Sequence, residues 1–135
     1  MGCSSNAISG KKPPSVQLEI GGKTYPTTLG TYCWKSGCVD TAGPIEILRD
    51  KETIKVQSGE TVGIVMDYQP QPSKVYLEEV RENQETVEIT VTANQFTAPT
   101  QQGIYYYSYG VWWLSDEDGH MSNGDAFYVF ALEVQ

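Results

Sequence analysis

The chain has 135 residues and a formal net charge of −8, and no run of apolar residues in it is long enough to cross a bilayer as a helix. That length suits one domain, and the acidity, with no basic cluster beyond Lys11-Lys12, argues against nucleic acid and anionic lipid headgroups as partners. Val, Thr, Ile and Tyr dominate the periodic segments, while 13 Gly and 7 Pro punctuate them, which points to an all-β protein with many turns.

The chain opens with Met-Gly-Cys-Ser-Ser-Asn. Gly2-Cys3 resembles the end of a bacterial lipobox, in which a small residue precedes the cysteine that becomes the lipidated first residue. The apolar stretch belonging upstream is not in the sequence, as expected of a chain that starts near the cleavage site. N-myristoylation is the rival reading of Met-Gly, but that motif needs Ser or Thr where this chain has Asn6. Residues 1–15, rich in Ser, Asn, Gly, Lys and Pro, are therefore expected to be a lipobox remnant and flexible tether carrying lipid on Cys3. Residues 16–135 are expected to form a single β-sandwich domain.

Val16, Leu18 and Ile20 alternate with Gln17 and Glu19, which predicts a first strand with one buried face. Gly21-Gly22 turns the chain. Residues 23–34 follow as one extended segment, where Pro26 predicts an edge position or a bulge. This segment leads into Cys33-Trp-Lys-Ser-Gly-Cys38, whose Lys-Ser-Gly suits a tight turn. With Cys3 assigned to lipid, Cys33 and Cys38 remain as a pair, oxidised in an exported protein. A metal site is disfavoured, because the only histidine is the distant His120.

Residues 43–48 predict either one helical turn or an irregular crossover. Strands are expected around Ile54 and Val56, and around Val62, Ile64 and Met66, the second after a Ser-Gly-Glu turn. A Pro-rich loop separates these from strands over 74–81 and 86–92, the latter with Val87, Ile89 and Val91 inward. The longest strand is expected over 103–114. One face presents Tyr105, Tyr107, Tyr109, Val111 and Trp113, the other Ile104, Tyr106, Ser108, Gly110, Trp112 and Leu114. A polar hairpin loop over 115–125 precedes a closing strand over 126–134, with Tyr128, Phe130, Leu132 and Val134 on one face.

About seven or eight strands at short spacing predict an antiparallel β-sandwich of immunoglobulin-like type, with a lipocalin-like closed barrel as the alternative. Gly103-Ile-Tyr105 resembles the tyrosine corner of immunoglobulin-like domains, and Tyr107 takes the place of their second core cysteine. The segments Thr-Leu-Gly-Thr-Tyr-Cys-Trp (28–34), Cys38-Val-Asp and Gly103-Ile-Tyr-Tyr-Tyr also resemble a group of small exported lipoproteins of Bacillus-type Gram-positive bacteria. The similarity covers residues 16–134. The group has no assigned activity, so the resemblance implies compartment and fold but no mechanism.

Chemistry is sparse. His120 is the sole histidine and no Gly-x-Ser-x-Gly elbow supports a nucleophile, so no catalytic residue is assigned. Asp116, Asp118, Asn123 and Asp125 are the best metal-like cluster, yet they lack the glycine and glutamate of an EF-hand, and hairpin turn chemistry explains them as well. No cofactor is implied. The 9 Tyr and 3 Trp exceed what a core of this size requires. Tyr32, Trp34, Tyr106 and Trp112 are expected to be partly exposed and to form the contact surface, unless they fill the space between sheets or pack under residues 43–48.

The function expected is a non-catalytic, monomeric, extracytoplasmic module, anchored to the membrane by lipid on Cys3, that binds a protein or cell-envelope component. The contact regions would be the Cys33–Cys38 loop and the acidic loop. The alternatives are a secreted protease inhibitor or regulatory module using the Cys33–Cys38 loop, or a small-ligand carrier.

Overall fold

A computed structural model describes residues 8, 10–35, 37–81, 83, 85–114 and 122–135. Alternation sets the strand faces: in β1 (Gln17–Ile20) Leu18 and Ile20 are buried while Gln17 and Glu19 are exposed. The chain continues through β2 (Lys23–Pro26), β3 (Thr28–Trp34), β4 (Gly37–Val39), a short helix α1 (Pro44–Leu48), β5 (Ile54–Val56) and β6 (Thr61–Val65). It closes with β7 (Lys74–Val80), β8 (Thr86–Ile89), β9 (Gln95–Thr97), β10 (Gly103–Leu114) and β11 (Ser122–Val134).

These strands form two sheets that do not close into a barrel, so the lipocalin-like alternative is set aside. The smaller sheet runs β2-β1-β6-β9, the larger β4-β3-β11-β10-β7-β8, with β5 adding in parallel to the end of β11. With β1, β6 and β9 in one sheet and β7, β10 and β11 in the other, the partition is that of an immunoglobulin-like sandwich. The Tyr105 hydroxyl donates to the Gln101 carbonyl at 2.8 Å, four residues back across the corner between β9 and β10. The tyrosine corner is present.

Among the described residues eleven strands replace the seven or eight expected. Part of the excess comes from residues 23–34, expected as one segment. Pro26 ends β2 on the edge of the smaller sheet, Thr27 anchors both its amide and its hydroxyl on the Val16 carbonyl (3.3 and 2.7 Å), and the chain then crosses to the larger sheet as β3. One extended run thus contributes a strand to each sheet.

The core lies between the sheets. It joins Leu18 and Val62 of the smaller sheet to Leu77, Tyr107, Val111, Trp113, Tyr128 and Leu132 of the larger. Tyr107 stacks on Phe130 at 5.0 Å, with Phe96 tilted against both. A second, smaller cluster lies outside the sandwich, where Leu48 and Ile47 of α1 pack on Val129, Ala131 and Tyr106. The 43–48 segment is therefore a helix, started by Pro44 and by the Gly43 amide donating to the Glu46 carboxylate at 3.1 Å.

Two expectations need correction. Val87 shares the inward face with Ile89, which packs on the core, but is left 36% exposed because β8 is an edge strand of the larger sheet, which has more strands than the sheet opposite. Nor is the tether free up to residue 15. Pro13 is buried, the Trp34 indole donates to the Gly10 carbonyl at 3.1 Å, and the Tyr128 hydroxyl donates to the Pro14 carbonyl. Two deep aromatic side chains need acceptors for their polar ends, and this segment supplies them. Cys3 lies outside the described residues.

Candidate functional site

The Cys33–Cys38 disulfide closes the β3–β4 hairpin as a cross-strand pair with Cα atoms 4.0 Å apart. Trp34 and Gly37 pair next to it, and Lys35 enters the turn with φ 57°, a left-handed conformation. Neighbouring residues of a strand point to opposite faces. Cys33 pairs with Asp125 on the outer face of the larger sheet, and Trp34 pairs with Gly124 on the inner face.

Trp34 is consequently 3% exposed, not part of a contact surface. Its ring meets Trp113 edge-on at 5.1 Å and Tyr68 at 6.1 Å, while Tyr68 and Trp113 meet at 5.8 Å. The Trp113 indole donates to the Pro70 carbonyl at 2.7 Å. Gly124 makes room for this cluster, since a Cβ there would lie 2.8 Å from Trp34 Cε3 and from Ile8 Cδ1. Tyr32, opposite Ala126, is also on the inner face, half-buried against the main core.

Tyr106 and Trp112 lie on the other face. Tyr106 is half-buried beside Leu48, Val129 and Ala131. Trp112 is half-buried and meets Phe127 edge-on at 5.5 Å, with the Lys74 ammonium 5.4 Å from its ring. Both rings lean over Gly110, where a Cβ would lie 2.7 Å from Phe127 Cε2 and 2.9 Å from Trp112 Cη2. Tyr76 pairs with Gly110 from the other side, also half-buried. Partial desolvation, then the charges of Glu78 and Glu88, push its phenol above the usual range.

The four expected contact residues therefore do not converge. Tyr32 and Trp34 serve the interior, Tyr106 packs under α1 on the outer face, and Trp112 belongs to an outer patch with Tyr76 and Phe127. Phe127 was readable in advance, since it lies between inward-facing Ala126 and Tyr128 and must face outward. Tyr76 was not, because an alternating strand does not reveal which of its faces another sheet covers.

Of the metal-like residues, Asp116 and Asp118 lie outside the described residues, as does His120. Asn123 and Asp125 sit at the start of β11 and each already carries an interaction. No group of three or more His, Cys, Asp or Glu side chains is placed to hold a metal ion among the described residues. Glu79, 6% exposed, is paired with Arg81 at 3.2 Å. No family model, curated protein or solved structure matches the chain.

Proposed function

We propose that the chain is a non-catalytic binding module that holds a protein or another cell-envelope component on the outer face of its larger sheet. The observation that carries this reading is the partly exposed patch of Trp112, Phe127 and Tyr76 around Gly110. Aromatic side chains of this kind offer large, rigid contact area with little entropy to lose, and dominate binding surfaces for that reason. The rim mixes charges, with Lys74 at Trp112 and Glu78 and Glu88 at Tyr76.

In this reading the module works outside the cytoplasm as a monomer, anchored by lipid on Cys3. The Cys33–Cys38 disulfide supports such a compartment, because disulfides persist where the surroundings are oxidising. The resemblance to small exported lipoproteins supports it too. The disulfide hairpin gives less support to protease inhibition, since Trp34, its large apolar side chain, is committed to the core.

Binding of purified protein to envelope preparations of a Gram-positive bacterium tests the proposal. Trp112→Ala and Tyr76→Ala are each expected to weaken binding by about 2 kcal/mol, roughly thirty-fold. Tyr32→Ala, on the inner face, is expected to leave it unchanged. Equal binding by all three variants would overturn the assignment of this face.

A further inference from the structure

On the side where β6 of the smaller sheet meets β7 of the larger, the sandwich opens into a cleft of about 660 Å³. This is within the size of small-molecule sites, roughly 300–1,000 Å³. Ile64, Met66, Pro72 and Val75 make its apolar wall, and Gln71, Asn94 and Tyr109 contribute polar groups.

Tyr109 is 4% exposed, yet its hydroxyl has no hydrogen-bond partner among the described residues. Among the described residues no fully buried side-chain polar atom lacks a partner, so this hydroxyl is not sealed. The space it borders is the cleft. Burial pushes its phenol up to about 12, which keeps it a proton donor at neutral pH.

The other polar groups are neutral. The Gln71 amide nitrogen donates to the Met66 and Tyr68 carbonyls at 3.0 and 2.7 Å, leaving its oxygen as an acceptor. Among the described residues Lys74 is the one charged residue in the lining, but its ammonium sits on the opposite face of the sheet, against Trp112. No other described residue of the lining would compensate the desolvation of an ionised ligand.

We propose that this cleft binds an uncharged organic molecule with an apolar body and a carbonyl-type oxygen that accepts from the Tyr109 hydroxyl. The site is independent of the outer aromatic patch, on the other face of the same sheet, and its ligand is small where the patch takes a macromolecular partner.

Amide-resolved NMR titration of the whole chain tests this, with acetanilide as the uncharged probe and benzoate as its charged counterpart. Acetanilide is expected to give saturable shifts at Ile64, Met66 and Asn94, and benzoate at least five-fold weaker ones. Tyr109→Phe removes no protein hydrogen bond, so it should keep the wild-type spectrum elsewhere while weakening acetanilide at least five-fold. Val75→Trp, at a 38% exposed wall position, should fill the cleft and abolish the shifts. The proposal is overturned by shifts that do not saturate, by shifts that map to Trp112 and Phe127, by equal affinity in Tyr109→Phe, or by benzoate binding as tightly as acetanilide.

Discussion

Trp34 and Trp112 show how a single strand position separates a structural side chain from one available for contact. Trp34 faces inward beside Trp113 with its indole satisfied by Gly10, whereas Trp112 lies outward over Gly110 and stays partly exposed. Trp34→Ala is therefore expected to cost about 3–5 kcal/mol in urea unfolding, the range for truncating a buried large aromatic. Trp112→Ala should cost roughly 1–2 kcal/mol, because less apolar area returns to water. Equal costs would contradict the assignment of faces.

The buried tyrosines make a second residue-level prediction. Burial holds Tyr109 up to about 12 against an ordinary value of 10.0, and raises Tyr107 and Tyr128 further, aided by Glu79 and Tyr105 for the first and by Tyr109 for the second. Above pH 10 the unfolded chain releases these protons and the folded chain does not, so stability is intact below pH 10 and falls as pH rises through about 12. Tyr109 alone contributes roughly 2–3 kcal/mol to that fall. Urea midpoints measured from pH 8 to 12 should show it, and Tyr109→Phe should have a shallower decline.

At the scale of elements, the β3–β4 hairpin carries its disulfide on the outer face, away from the core that Trp34 joins. Closing so short a loop contributes only ~2 kcal/mol. Reduction should lower the thermal midpoint without unfolding the protein, and Trp34 fluorescence should keep its buried emission in the reduced state. A reduced chain that unfolds at room temperature would show that the disulfide holds more than its hairpin. The pairing of these cysteines was legible because only two remained once Cys3 was assigned to lipid. That Cys33 and Trp34 face opposite ways was also implicit, since adjacent residues in a strand cannot share a face, but which of them faces the core was not. The role of α1 was legible only in part: packing of an aromatic face under residues 43–48 was one expectation, met by Tyr106, but nothing local showed that Val129 and Ala131 lie there too.

At the scale of the whole molecule, the segment before β1 belongs to the fold. Removing residues 1–15 would delete the acceptors of Trp34 and Tyr128 and expose the surface under Pro13 and Ile8. The truncated domain is expected to be less stable by roughly 2–5 kcal/mol, two hydrogen bonds and two apolar side chains taken together. Loss of less than about 1 kcal/mol in urea unfolding would restore the tether reading for this stretch. By itself, the sequence determined the all-β class, the alternation within each strand, the tyrosine corner and the pairing of the two loop cysteines. These rest on local rules: side-chain period, turn chemistry and residue count. Only the tertiary structure decided that Trp34 is inside, that residues 10–15 are docked, that Trp112, Phe127 and Tyr76 meet around Gly110, and that Tyr109 ends at an open cleft. Periodicity states which residues share a face, but whether that face is covered depends on strands far away in the chain and on how wide the opposing sheet is.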